Sequence, residues 1–417
     1  PDALLRMAAE ITATPGTGLV YWDDTEPRGD GLIQAPRLKP GWNADLHWAQ
    51  DYVGSAAISC AQALAAGGAD ADGGPAAWFD LATRVAQTVG MEGVRHIPRV
   101  LSHRPADVGD DVEARAACVA RLTGATATPG AHGHVRVTWP LPDSPPLVSL
   151  IVPTRDRRDL IEPCIDGLLH RTDYPALEVL IADNDSRERR TLAYLEAIGR
   201  DPRVRVVPCP GPFDFAAINN RVAGLARGDV VGFINNDIEV MAPDWLREMV
   251  GHALRPDVGA VGAKLLYPSG LVQHAGVIVG LDGLAGHAHR FYPAAHPGYM
   301  GRLQGTQVFS AVTAACLMTR KAAFAEVGGF DETAFPVAYN DVDLCLRLGA
   351  RGLKTVWTPY AVLRHKETAT RERDYSPARL AQYQRESAAF RARWGHVIAH
   401  DPHYHPLLTR ADESFLP

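Results

Sequence analysis

The run Asn235-Asn236-Asp237 has residue types that can do chemistry. It ends the apolar stretch Asp229-Val230-Val231-Gly232-Phe233-Ile234, which reads as a buried strand. A carboxylate and two amides at a strand's C-terminal end sit where open α/β sheets bind ligands. Such a carboxylate can hold a hard divalent cation, and the cation can hold a diphosphate. Asn and Asp also favour plain strand-to-loop exits, so this strand end alone leaves both readings open. A second acidic run, Asn340-Asp341-Val342-Asp343, opens a segment in which Val342, Cys345, Leu346 and Gly349 share one helical face. There Asn340 reads as the N-cap and Asp343 as the capping carboxylate. Asp341 then lies in the first helical turn, where the dipole favours negative charge.

The elements that must position these residues begin at Leu147. Val148–Thr154 reads as a buried strand, Leu160–His170 as a helix, and Leu177–Asp183 as a second strand. Thr191–Gly199, Val204–Val207 and Ala216–Ala226 continue the alternation up to Asp229–Ile234. Strands alternating with helices predict a mainly parallel sheet with helices on both faces. Beyond it the reading is less regular: helix Trp245–Leu254, strand Val258–Leu266 and a loop-rich stretch over 270–305 with four histidines, His274, His287, His289 and His296. Lys321–Val327 is a short helix closed by Gly328-Gly329, a C-cap pair. Strand Lys354–Trp357, the run Val362–His365 and a polar helix Pro377–Trp394 complete the chain.

At 417 residues the chain accommodates two domains or one elaborate one. A net charge of −6 gives no polybasic field for nucleic acid. The six cysteines lack paired spacing, which argues against a zinc site or a disulfide framework and for reduced thiols in a cytosolic protein. No apolar run reaches the length of a membrane span, and no signal peptide is visible. The chain opens on Pro1, as a fragment would.

The first hundred residues echo the later ones. They read as helix Asp2–Glu10, strand Gly18–Trp22 ending on Asp23-Asp24, a mixed segment Leu46–Leu64, helix Phe79–Val89 and strand Val100–His103. Val100-Leu101-Ser102-His103 matches Val362-Leu363-Arg364-His365, Gly67-Gly68 matches Gly328-Gly329, and Asp80 through Arg84 match Asp343 through Arg347. Residues 1–105 are therefore expected to be a partial second copy of the later domain. Asp23-Asp24 would stand for Asp237, and Trp78 stands where Asp341 does. Residues 106–146 read as a helix and a linker with one strand, Val135–Trp139; residues 147–375 as the main domain; and residues 376–417 as a helix and tail.

The ordered set Val152-Pro153-Thr154-Arg155-Asp156, Asp183-Asn184-Asp185-Ser186, Asn219-Asn220-Arg221, Asn235-Asn236-Asp237, Gly328-Gly329-Phe330-Asp331 and Asn340-Asp341-Val342-Asp343-Leu344 resembles family-two glycosyltransferases of the GT-A fold. The nearest likeness is to bacterial rhamnosyltransferases of O-antigen and surface-polysaccharide synthesis. The resemblance covers residues 147–370 closely. It implies an inverting transfer from a UDP- or dTDP-sugar to a hydroxyl of a glycan or lipid-linked glycan, in the cytoplasm or at the inner face of the cell membrane. Asp341 matches the family's general base. Asp237 matches the metal-binding Asp of Asp-x-Asp, with Asn235 replacing the first Asp; the ion implied is Mg²⁺ or Mn²⁺. His365 resembles a family histidine that reaches the diphosphate or the metal. Pro153, Thr154, Asp156, Asp183, Asn220, Arg221 and Asn236 are the implied nucleotide contacts. Asp343 is read as structural, His274, His287 and His289 as acceptor-loop or surface groups, and the aromatic residues of 291–309 as sugar-stacking or packing groups.

A non-catalytic nucleotide-sugar or glycan-binding module is the alternative reading, which the N-terminal copy already fits. A nucleotidyltransferase needs a Gly-rich loop after the first strand, and Thr154-Arg155-Asp156-Arg157-Arg158 has no glycine. A dinucleotide dehydrogenase needs Gly-x-Gly-x-x-Gly there, which is absent.

Overall fold

The computed structural model describes residues 2–27, 33–70, 74–103, 111–366 and 376–417. Residues 106–110, with which the helix expected from Ala106 begins, lie outside that set, as does the expected domain boundary at 375.

The chain starts with α1 (Asp2–Ala13), β1 (Leu19–Pro27), β2 (Ile33–Arg37), α2 (Ala44–Ala49), β3 (Ala56–Ile58), α3 (Cys60–Ala65), α4 (Ala77–Val89) and β4 (Val94–His103). β1 pairs in parallel with β4 and antiparallel with β2 and β3. The alternation of β1 divides it between two cores. Leu19 and Tyr21 pack with Leu46, Leu81 and Val85, while Val20 and Trp22 pack with Ile97. Next come α5 (Val112–Thr123), β5 (Thr126–Pro129) and β6 (Val135–Thr138). The stretch read as a linker with one strand is a two-stranded hairpin, β5 on β6. Its apolar face covers α5 and joins Trp48 and Phe79 in one core.

The main domain runs through β7 (Val148–Thr154), α6 (Arg158–His170), β8 (Leu177–Asp183), α7 (Arg189–Ile198), β9 (Val204–Pro208), α8 (Phe215–Leu225), β10 (Val230–Ile234), β11 (Ile238–Val240), α9 (Trp245–Ala253) and β12 (Val258–Leu266). It continues through β13 (Val272–His274), β14 (Val277–Val279), β15 (Ala285–His287), β16 (Gln307–Phe309), β17 (Cys316–Arg320), α10 (Lys321–Glu326), α11 (Asn340–Gly349), β18 (Lys354–His365) and α12 (Pro377–Ala399). The sheet order is β11-β18-β12-β17-β10-β7-β8-β9. The β10, β7, β8 and β9 half is parallel, as strand–helix alternation dictates. The other half is mixed rather than parallel. β17 enters antiparallel between β10 and β12 because the long stretch before it returns the chain in the opposite direction. Helices cover both faces: α6, α7 and α9 pack on one core, α8, α10 and α11 on the other.

The two regions share local geometry. Arg84 donates to Asp80 Oδ2 and to the carbonyls of Ala66 and Gly68. Arg347 donates to Asp343 Oδ2 and to the carbonyls of Val327 and Gly329. Both glycine pairs have positive φ and close their helices with the same bonds, Gly68 to Ala63 and Gly329 to Phe324. The pairing also corrects the sequence match for Asp23-Asp24. β1 with β4 has the pattern of β12 with β18: parallel, with a register break at a proline, Pro98 or Pro359. Asp23 faces Val100 as Lys264 faces Val362, so the strand resembling β1 is β12 and not the one ending on Asp237.

Candidate active site

Three strand ends meet at one edge of the sheet. β7 ends on Thr154 opposite Asp183 of β8, and β10 runs into Asn235-Asn236-Asp237. The Asn236 amide donates to Thr154 Oγ1 at 3.0 Å. Ser186 gathers the neighbouring groups: its backbone N–H donates to Asp183 Oδ1, and its hydroxyl accepts from Asp156 N–H. Asp156 Oδ1 accepts from the N–H groups of Arg187 and Glu188, at 2.6 and 2.7 Å, and so ties the loop after β7 to the turn that leads into α7. Pro153 is half-buried beside Thr154. Thr154, Asp156, Asp183 and Asn236 thus form one cluster. Asn220 is engaged outside it, on α8, where its amide clamps the N–H and carbonyl of Phe330 and reaches Glu332. Arg221 is exposed on the same helix.

Asp237 and His365 are buried side by side because β11 pairs with the end of β18, setting Ile238 opposite His365. His365 Nε2 lies 3.1 Å from Asp237 Oδ1. The Gln273 carbonyl oxygen can only accept, so His365 Nδ1, 2.8 Å away, carries the proton. In the neutral ring Nε2 is then the lone-pair nitrogen, and the Asn235 amide donates to it at 3.3 Å. A lone pair and a carboxylate oxygen that face each other need a cation or a proton between them. A carboxylate and an imidazole nitrogen, the ring held from its far side by Gln273, form a donor set that Mn²⁺ or Mg²⁺ would accept, with phosphate and water oxygens as further ligands.

Asp341 lies on the first turn of α11. The N-cap of that helix is Tyr339, at φ 60°, and Asn340 is its first helical residue, its amide donating to Val337 O. This moves the cap expected at Asn340 back by one position. Asp343 does not cap either: it is buried and bonded to Arg347, Arg393 and Trp394, which ties α12 to α11. Asp341 Oδ1 accepts from Val342 N–H at 2.9 Å and Oδ2 from Ala314 N–H at 3.0 Å. The carbonyl of the next residue, Ala315, accepts from Asn235 N–H at 3.0 Å. One dipeptide therefore joins the Asp341 carboxylate to the strand end that leads to Asp237.

The sequence profile described as Glycosyl transferase family 2 matches residues 149–328. An N-acetylglucosaminyl-diphospho-decaprenol L-rhamnosyltransferase of Mycobacterium tuberculosis is 30% identical over 242 residues, covering 50% of this chain and 73% of that protein. The chain belongs to glycosyl transferase family 2. Its α/β fold is GT-A. The O-antigen biosynthesis protein RfbC of Myxococcus xanthus is 38% identical over 98% of this chain and 33% of that protein. An uncharacterised protein of Sinorhizobium fredii is 38% identical over 100% of this chain and 48% of that protein. The chain thus spans about half of one of these relatives and a third of the other.

In this family-two chain the histidines of the loop-rich stretch separate by role. His274 Nδ1 lies 2.7 Å from His287 Nδ1, and His274 Nε2 accepts from Thr313 N–H, beside the dipeptide that holds Asp341. Burial pushes His274 well below its ordinary range, which keeps it neutral. His289 is a packing group, stacked on Phe415 and accepting from Tyr299 N–H. Sequence reading missed Gln273. A β-bulge between Leu265 and Leu266 of β12 makes it the extra residue of β13, and no local pattern announces that. It also missed a group formed by buried Asp23 and His405 with half-buried His96, three residues far apart in the chain. His405 Nδ1 accepts from Leu407 N–H, so its Nε2 carries the proton that Asp23 Oδ2 receives at 2.8 Å. That nitrogen has no lone pair for a metal, and the group acts as a staple between the N-terminal sheet and the tail.

Among the described residues no helix is long and apolar enough to cross a membrane.

Proposed function

We propose that this chain is an inverting glycosyltransferase that moves a sugar from a nucleotide-diphospho-sugar, of the UDP or dTDP type, to a hydroxyl of a growing surface glycan. The observation that carries it is the dipeptide Ala314-Ala315, which bonds the Asp341 carboxylate on one side and Asn235 on the other. A base and a diphosphate anchor must lie one sugar apart, and this link fixes them relative to each other. Asp341 takes the proton of the acceptor hydroxyl as that oxygen forms its bond to the anomeric carbon. The bond from that carbon to the diphosphate oxygen breaks, and its electron pair leaves with the nucleotide. A divalent ion on Asp237 and His365, when bound, supplies positive charge for the departing diphosphate. The amide of Asn235 orients His365, and the Thr154–Asn236 pair together with Asp156 and Asp183 shapes the nucleotide side. Asn220 and Arg221 are retained as outer contacts of that side.

The names of the relatives support a rhamnosyl-type donor and a lipid-linked or O-antigen acceptor. The shared Arg84 and Arg347 clamps support reading residues 1–105 as a partial, non-catalytic copy. Trp78 follows the first residue of α4 as Asp341 follows the first residue of α11, so this copy lacks a base. The chain is tested by thermal-shift titration with UDP- and dTDP-sugars, with and without Mn²⁺, followed by mass detection of transfer to a lipid-linked glycan. Metal-dependent stabilisation by one donor and a product one sugar heavier are expected. No donor binding and no product would leave the binding-module reading for the N-terminal copy alone and overturn this one.

A further inference from the structure

We propose that Tyr267, Phe291 and Arg290 form a carbohydrate-binding platform, separate from the transfer site, that takes one pyranose ring of a glycan chain. The platform goes beyond the transferase reading and stands on different residues.

The four aromatic residues of 291–309 divide by role in the fold. Tyr299 stacks on Phe415, and its hydroxyl bonds the backbone of Leu38. Tyr292 packs edge-on against His289 and His296, and Phe309 is buried against Trp357. Of the four, only Phe291 is exposed, at 54%.

The Phe291 ring lies parallel to that of Tyr267, with 9° between their planes and 5.6 Å between their centroids. The Arg290 guanidinium sits over the pair, 4.6 Å from the Phe291 centroid and 6.0 Å from that of Tyr267. Arg290 Nε donates to the Tyr267 hydroxyl at 2.8 Å, which fixes the guanidinium through one of its donors. Phe291 holds φ 66°, a backbone state disfavoured for a bulky residue. The neighbouring strand enforces it: Phe291 N–H donates to Val272 O and Val272 N–H to Tyr292 O, both at 2.8 Å. Strain kept in this way by the surrounding structure clusters at ligand clamps.

A pyranose presents an apolar C–H face and a rim of hydroxyls. A flat aromatic pair suits the face, and a guanidinium beside it can donate to the rim. A lipid surface is the poorer occupant. Between Met241 and Leu380, Phe291 is the one large apolar side chain exposed among the described residues. Interfacial anchoring draws on a broad apolar face, whereas one sugar ring needs no more than this platform.

Position ties the platform to the transfer site without merging the two. β12 runs parallel to β18, and Tyr267 follows the end of β12 as His365 ends β18. Val272, which holds Phe291, precedes Gln273, which holds His365. Consecutive residues of β13 therefore anchor the platform and the metal pole at one edge of the sheet, and the two share no side chain. A ring held on the platform belongs to the glycan being extended and is not the sugar that moves.

The test is saturation-transfer NMR on the whole chain with methyl glycosides of rhamnose, glucose and N-acetylglucosamine. Wild type is compared with Phe291→Ala, Phe291→Tyr and Arg290→Gln, and the response to UDP with Mn²⁺ is read separately by thermal shift. Phe291 is exposed, so its substitutions leave the core intact. Wild type and Phe291→Tyr should transfer saturation to the ring C–H protons of at least one glycoside. Phe291→Ala should bind that glycoside about tenfold more weakly. Arg290→Gln, which keeps both rings, should bind it about threefold more weakly. All four proteins should respond alike to UDP. Unchanged glycoside binding in either Phe291→Ala or Arg290→Gln overturns the platform. So does failure of wild type to bind any of the glycosides, or a UDP response lost in Phe291→Ala. Attachment to phosphatidylglycerol vesicles that needs Phe291, with no glycoside binding, overturns it in favour of a lipid surface. Phe291-dependent glycoside binding in a chain that does not respond to UDP supports the platform and counts against the transferase reading alone.

Discussion

His365 stands 3.1 Å from Asp237 through Nε2 and 2.8 Å from Gln273 through Nδ1. The Gln273 carbonyl accepts from Nδ1 and so turns Nε2 toward the carboxylate. Asn235, which stands where the family motif has a carboxylate, donates its amide to the same imidazole.

Mn²⁺ affinity should follow this arrangement. Asp237→Ala is expected to abolish high-affinity Mn²⁺ binding measured by electron paramagnetic resonance. Gln273→Leu should weaken it about 10–100-fold while leaving both ligands in place. Equal Mn²⁺ affinity in wild type and Asp237→Ala would remove Asp237 from the metal site.

The base is tested apart from the donor. Asp341→Asn keeps the shape and removes the proton acceptor, so transfer should drop about 10²–10⁴-fold. Donor binding, read by thermal shift, should be retained. Turnover near that of wild type would mean that another group takes the proton.

Asp343 offers the opposite outcome. Its carboxylate is buried and bonded by Arg347, Arg393 and Trp394. Asp343→Ala leaves Arg347 without its anion and Arg393 with Asp331 alone, and should cost about 3 kcal/mol in urea unfolding. The folded fraction should still bind donor. A variant as stable as wild type would show that α12 is held by its apolar contacts alone.

The staple at Asp23 predicts an acid sensitivity. Burial pushes this carboxyl up, but hydrogen bonds from His405 and His96 outweigh that and bring it from its ordinary 3.8 to about 2. A folded-state value below the unfolded one gives stability that is complete above about pH 4 and is lost as pH falls toward 2. The contribution is about 2 kcal/mol. Urea midpoints between pH 6 and pH 2.5 should fall more steeply for wild type than for Asp23→Asn; parallel slopes would show that the staple contributes nothing.

The positions of several candidate residues at element ends were legible before the fold. Thr154, Asp183 and Asp237 stand at strand ends because apolar runs flanked by Asp and Asn are strong local signals, and Asp341 follows a helix start marked by spacing. The parallel half of the sheet came from strand–helix alternation in the same way. The Gly-Gly caps and their arginines were visible as a repeat, since each is a short contiguous device.

What stayed hidden depends on residues distant in sequence. The sequence alone matched Asp23-Asp24 to the strand end at Asp237, since both are acid after an apolar run. Only the pairing of β1 with β4 showed that the strand resembling β1 is β12. Tyr339 rather than Asn340 caps α11 because Glu386 and Phe390 of α12 grip that turn. Gln273 reaches His365 only through a bulge, and Ala314-Ala315 links Asp341 to Asn235 only because β17 runs antiparallel beside β10. By itself the sequence determined which residues carry charge at which element ends. Register, bulges and the antiparallel insertion decided which of those ends meet, because hydrogen bonds between strands are set by global packing and not by any local pattern.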